Sequence, residues 1–207
     1  MSSYILSHTK IATNCLWHNG KLISKNDERV SSAALLEGFY KSINLSYPKF
    51  FKMDALSKLG ILCAELILKD ENINDLFAKE KTAIVLSNKN SSLQTDVAYA
   101  KTMADFPSPA LFVYTLPNIV TGEIAIKHKI TGENAFFIEP IFNAELLHNY
   151  AELILQENDA ALCGWLNIDE TTCEGFLYFV AKQTVEDEKK TNFITHNSQN
   201  ITNLYIN

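Results

Sequence analysis

Three groups of residues have types and spacings that could do chemistry. The first is the turn Glu139-Pro140-Ile141-Phe142, which lies between a strand-like run and a helix-like run, where an α/β protein can place a nucleophile. It holds no cysteine or serine, and Ile141 has neither a lone pair nor an ionisable proton with which to attack a thioester. The second group is the four cysteines, Cys15, Cys63, Cys163 and Cys173, widely spaced, with no CxxC and no histidine at metal-ligand spacing. They read as reduced thiols. Cys163 sits in the apolar run "ALCGWLN", which would raise its pKa, and reads as a core thiol. Cys173, flanked by Asp169, Glu170 and Glu174, is a poor thiolate for electrostatic reasons. The third group is His148 with Glu145, Asn149, Glu152 and Gln156, whose spacing places them on one helix face. An acid–base pair of His148 with Glu145 or Glu152 is one reading; a solvated face is the preferred one. No metal site and no cofactor is expected.

The elements that must position these groups follow from periodicity. Residues 53–69 and 143–156 have helical period, the latter with Asn143 near its cap, and 92–106 reads as a helix stopped before Pro107 and Pro109. A further helix over 117–130 begins at Pro117 and Asn118 and ends before Thr131-Gly132. Runs at 82–88, 135–141, 160–169 and 175–183 read as strands, with one more around "KIATNCLWHN". Helices between buried strands predict an α/β architecture, layered helices on a mixed five-stranded sheet. On the stripe Asp54, Lys58, Glu65 and Lys69 the first of these helices is polar, and Lys127-His128-Lys129 reads as a solvated helix end. Ser91 or Ser92 reads as a helix cap, and the glycine-free loop around it does not suit a phosphate cradle.

Length and composition set the limits. A chain of 207 residues suits one domain, expected over 1–185, with a polar, Asn-rich tail or late strand over 186–207. A composition 47% hydrophobic and 20% charged is that of a globular protein. The net charge of −6, from 24 acids against 18 bases, argues against nucleic acid as a partner. The N-terminus lacks the pattern of a signal peptide and no apolar run approaches a membrane span, so a cytoplasmic protein without a membrane partner is expected.

The stretch "FPSPALFVYTLPNIVTGEIAIKHKITGEN" resembles the N-terminal half of the β-ketoacyl-acyl-carrier-protein synthases, condensing enzymes of the thiolase fold. The features carrying the resemblance are Ser108-Pro109, Phe112, Pro117-Asn118, Gly122 and Gly132, with Glu133 where the family usually has proline. "FKMDALSKLGILCAELIL", "NDAALCGWLNID" and Glu174-Gly175 ahead of "FLYFVAK" extend it over about 130 positions. The resemblance implies a thiolase-like half, and counting from Gly132 it puts Ile141 at the position of the family's nucleophilic cysteine. The family's catalytic histidines, or histidine and asparagine, belong to a C-terminal half expected to be lacking here. His196 and Asn197 have no Gly-rich frame and are not read as their equivalents. The implied function is a non-catalytic, accessory or chain-length-factor-like subunit in fatty acid, polyketide or aryl-polyene-type assembly. Its partner would be an active ketosynthase, an acyl carrier protein or a second copy of itself. Phe112, Pro117, Asn118, Phe142 and Cys163 mark the implied acyl or interface region. The alternative is a small acyl-transfer or thioesterase-like enzyme using Cys173 or His148.

Overall fold

A computed structural model describes residues 2–26, 30–69, 73, 76–169, 172–182 and 194–207. Eight strands form one sheet: β1 (Ser3–Ala12), β2 (Cys15–His18), β3 (Lys21–Lys25), β4 (Thr82–Asn88), β5 (Asn134–Ile138), β6 (Ala160–Ile168), β7 (Cys173–Lys182) and β8 (Ile194–Thr195). Their order is β3-β2-β1-β7-β6-β4-β5, and β8 pairs the start of β1. The sheet is mixed: β4 runs parallel to β5 and β6, whereas β1, β6 and β7 pair antiparallel.

Four of the five expected strands are β4, β5, β6 and β7. The stretch "KIATNCLWHN", expected to contribute at least one strand, takes in the end of β1 and all of β2, and the chain folds back twice between β1 and β3. Thr13 and Asn14 (φ 50° and 59°) and then Asn19 and Gly20 (φ 48° and 74°) adopt the left-handed conformations of tight hairpin turns. Asn19-Gly20 is itself a hairpin signal in the sequence.

Seven helices complete the described residues: α1 (Ser32–Ser42), α2 (Ala55–Leu68), α3 (Leu93–Thr102), α4 (Pro109–Val113), α5 (Ile119–His128), α6 (Ala144–Ile154) and α7 (Ser198–Ile206). Every residue of β4 and β6 is buried, as strands covered on both faces must be. Strand alternation divides the interior into two cores. Ile84, Leu162, Leu166, Leu177 and Phe179 face α1, α2 and α5. Val85, Ala161, Cys163, Phe176 and Tyr178 face α6 and α7.

Helix α2 starts at Asp54, whose carboxylate accepts from the Ser57 amide at 3.0 Å, and is buried along nearly its whole length. On the polar stripe of α2, Glu65 is only 3% exposed. Its carboxylate meets Lys69 at 2.6 Å, Lys127 at 2.8 Å and His128 at 3.3 Å. The basic end of α5 is thus docked onto α2 rather than solvated. A buried carboxylate in the apolar helix needs those partners.

Residues 194–206, expected as a polar tail or late strand, form β8 and α7. Asn197 caps α7 by accepting from the Asn200 amide at 2.8 Å, and Ile201 is fully buried. The expected boundary at 185/186 lies outside the described residues.

At Gly164, in the middle of β6, a β-carbon would collide with the Phe176 carbonyl oxygen and stand 2.6 Å from the Leu177 side chain. The first of these is backbone and cannot turn aside. Gly164→Ala is therefore expected to cost about 1–3 kcal/mol or more, read as a lower urea midpoint at unchanged denaturant slope.

Candidate functional site

The turn between β5 and α6 is held at both ends. The Glu139 amide donates to the Asn88 carbonyl at 2.9 Å, and Asn143 caps α6 by accepting from the Leu146 amide at 3.0 Å. The Asn143 amide nitrogen also donates to the Glu139 carboxylate at 2.8 Å. Strand β5 stops at Ile138, earlier than expected, so residues 139–142 are irregular backbone. Ile141 is 72% exposed at the crest. Phe142 turns inward, stacking on Tyr205 at 3.8 Å and lying edge-on to Phe176 at 5.8 Å. Beside Ile141 lies an open groove of about 530 Å³, lined by the turn together with Ser198, Gln199 and Thr202. Among these residues the turn contributes no thiol or hydroxyl.

The cysteines are placed on different faces of the sheet. Cys163 is fully buried on the α6/α7 side, and burial pushes its thiol well above the ordinary range. Cys173 lies on the α1/α2/α5 side, where burial pushes it up to about 12. His148 is on α6, so the sheet stands between it and Cys173 and the two do not form a dyad. Neither thiol is poised for nucleophilic attack.

The polar face of α6 is only partly solvated, a correction to the preferred reading of it. Glu145, Asn149 and Gln156 are exposed, but His148 and Glu152 are covered by the turn into α7. His196, 4% exposed, places its Nδ1 2.8 Å from Glu152 Oε1 and 3.2 Å from Ser3 Oγ. The Ser3 hydroxyl also donates to Glu152 Oε1. His196 Nε2 stands 3.4 Å from the Tyr178 hydroxyl, and the His148 ring meets the His196 ring edge-on at 4.7 Å. Burial would raise the Glu152 pKa, but the hydrogen bonds from Ser3 and His196 outweigh it and hold the carboxyl below its usual value. Burial lowers His196, with Glu152 opposing. A cleft of about 410 Å³, lined in part by Ser2, Ser3, Glu152 and Lys182, opens beside Glu152. His196, not read as a catalytic residue for want of a Gly-rich frame, meets partners far away in the chain: Glu152 is 44 positions away and Ser3 193. The readable signal was Asn197 as a cap ahead of a helical run.

Phe112, Pro117 and Asn118 lie elsewhere, in and after α4, apart from Phe142 and Cys163. Ser108 caps α4 by accepting from the Leu111 amide at 3.4 Å, with Pro109 in its first turn. Phe106 (78% exposed), Phe112 (59%) and Leu116 (58%) are open to solvent, as are Met103 and Val113. Tyr99 packs on Phe112 at 5.5 Å and so ties α3 to α4. Helix α5 continues from there to β5, Thr121 donating to Asn134 Oδ1 at 3.2 Å. Among the described residues β5 pairs only β4, leaving one edge of the sheet open. No helix among the described residues is long and apolar enough to cross a membrane.

A mixed sheet with helices on both faces, ending in a parallel β6-β4-β5 unit, defines the class: the fold is the thiolase-like fold of ketosynthases and chain length factors. The similar solved structures are of that kind. A chain from the complex of a type II polyketide-synthase acyl-carrier protein with its ketosynthase bound to the hexaketide, AntDE:AntF, superposes with a TM-score of 0.67 at 11% identity. The superposition covers 93% of this chain and 65% of that one. The ketosynthase ApeO in complex with its chain length factor ApeC, from Xenorhabdus doucetiae, gives 0.57 at 12% identity over 89% of this chain and 81% of that one. The ishigamide ketosynthase/chain length factor gives 0.62 at 12% identity over 93% and 61%. The chain thus spans less than two thirds of the first and third of these. At such identities the likeness is one of fold. No family model matches the sequence, and no curated protein matches it.

Proposed function

We propose that this protein is a ketosynthase-like subunit that binds rather than condenses. In this reading it pairs with an active ketosynthase, in the manner of a chain length factor, during cytoplasmic fatty acid, polyketide or aryl-polyene-type chain assembly. The observation that carries the reading is the exposed apolar surface of α3 and α4, to which the unpaired edge of β5 adds a second docking feature. Exposed large apolar side chains clustered on adjoining elements mark an interaction surface, and an open edge strand is a template for pairing. The chemistry of the β5–α6 turn is consistent with it. Ile141, taken as the position of the family's cysteine, leaves nothing there to carry an acyl group.

The similar structures are of a ketosynthase with its acyl carrier protein or with its chain length factor. The corresponding test is co-expression with the ketosynthase and acyl carrier protein encoded nearest to it, followed by size-exclusion chromatography. A stable complex with the ketosynthase is the expected result; association with neither would overturn the reading, and a homodimer alone would replace the ketosynthase by a second copy.

Incubation with acyl-carrier-protein thioesters is expected to leave the protein without a covalent acyl group, as followed by intact-mass spectrometry. Acylation of Cys173, or thioester turnover that disappears in His148→Ala, would establish an acyl-transfer enzyme instead.

A further inference from the structure

We propose that His148, Glu152 and His196 form a site for a divalent transition-metal ion of the zinc class, which clasps the β8–α7 segment to α6. One nitrogen from each imidazole and one Glu152 oxygen lie within 4.8 Å of one another. His148 and Glu152 are four residues apart on α6, a spacing that aims two ligands from one helix face at a common point. The third ligand comes from the residue between β8 and α7. Two imidazoles and a carboxylate make a donor set suited to zinc, with a fourth position left to solvent.

The independent sign of a missing partner is His148. Its Nδ1 is buried and has no hydrogen-bond partner, whereas the other polar atoms around it are bonded. A buried ring nitrogen left unsatisfied is costly, and an ion not present among the protein atoms is one of the few ways to satisfy it. The surroundings of His196 fit the same role. When Nδ1 is a ligand the ring proton sits on Nε2, and there the Tyr178 hydroxyl lies 3.4 Å away as acceptor. A metal-bound imidazole is ordinarily oriented by such a bond from its other nitrogen. The Ser3 hydroxyl in turn steadies the Glu152 carboxylate. To bind zinc the donors must draw in to a span of roughly 3.3 Å, two bonds of roughly 2.0–2.1 Å at the tetrahedral angle. Glu152 has the freedom for this, its side chain being 37% exposed at the mouth of the cleft through which an ion would enter.

The test is calorimetric titration of the chelator-treated full chain with Zn²⁺, repeated with Co²⁺ to read its visible absorption. One equivalent is expected to bind, with the spectrum of a four-coordinate nitrogen–oxygen site. Loss of an outer hydrogen-bond partner weakens such sites about 10–100-fold, so His148→Ala and Glu152→Gln, each losing a ligand, are expected to weaken binding by more than that. Glu145→Gln, on the exposed part of the same helix, is expected to bind like wild type. Circular dichroism of each variant separates lost ligation from lost folding, and Glu152→Gln keeps the side-chain shape if His148→Ala does not fold. Absence of stoichiometric binding to the wild-type chain would overturn the proposal. So would binding retained in both folded ligand variants, which would assign the ion to another site on the chain.

Discussion

Glu65→Ala is expected to destabilise the protein by about 3–5 kcal/mol, the usual cost of removing one partner from a buried ion pair. Glu65 lies near the end of an otherwise apolar helix, and its side chain is 4% exposed. Lys127 and His128, nearly as buried, point at the same carboxylate. Alanine would leave the Lys127 ammonium in a low-dielectric site, with the Tyr47 ring at 4.8 Å as its remaining stabilising contact. Lys69 is largely exposed and would simply return to water. For a domain of this size about 2–4 °C of melting temperature is lost per kcal/mol, so thermal unfolding monitored by circular dichroism is expected to shift down by roughly 10 °C. The double replacement Glu65→Leu with Lys127→Met is expected to recover most of the loss, because it removes the stranded charge as well. A single variant as stable as wild type would show that the cluster contributes nothing.

The same cluster sets a pH dependence. Burial would raise the Glu65 pKa, but the close contacts of His128, Lys127 and Lys69 overcome it and hold the carboxyl at about 2, against an ordinary 4.5. A carboxyl with a depressed folded-state pKa binds protons more readily when unfolded, so its contribution is complete above 4.5 and is lost as pH falls from there toward 2. Urea midpoints measured across that window should fall more steeply for wild type than for Glu65→Gln.

Phe112→Asp combined with Leu116→Asp is expected to weaken association with the ketosynthase proposed as its partner at least about 100-fold, that is by about 2.7 kcal/mol or more. A few apolar anchors near the centre of an interface carry most of its affinity, and a carboxylate in their place must be desolvated without a partner. Because both side chains are largely exposed in the isolated chain and the main contact given up is that of Phe112 with Tyr99, its own stability should change by no more than about 1.5 kcal/mol. That pairing of outcomes distinguishes an interface from a fold defect. Titration calorimetry against the ketosynthase reads the first and urea unfolding the second. Unchanged affinity would move the interface away from α4.

Much of the scaffold was legible because local pattern and burial coincide there. The helical period of 53–69, the uninterrupted apolar runs of β4 and β6, and Asn143 ahead of α6 each specify an element without help from distant residues. The resemblance to the ketosynthase fold, carried by Ser108-Pro109, Pro117-Asn118 and Glu174-Gly175, pointed to the same layered architecture that the superpositions show. The absence of a thiol or hydroxyl from the Glu139–Asn143 turn is likewise a property of the sequence.

Polar residues were misread wherever their partners are remote. Periodicity tells which face of a helix is apolar, but not what covers the other face. Glu65 read as part of a polar stripe and Lys127 as part of a solvated helix end, and packing of α5 on α2 buries both. His148 and Glu152 looked like part of an open stripe until β8 paired with Tyr4 and Ile5 and carried His196 over them. Strand parity alone puts Cys173 and Cys163 on opposite faces of the sheet, but only once their strands are known to be neighbours. By itself the sequence determined α2, α3, α5 and α6, the strands β4 to β7 and the lack of a thiol or hydroxyl at the turn, since these depend on neighbouring residues. Which charges are buried, and which histidines meet, only the tertiary structure decided, because those contacts join residues tens to hundreds of positions apart.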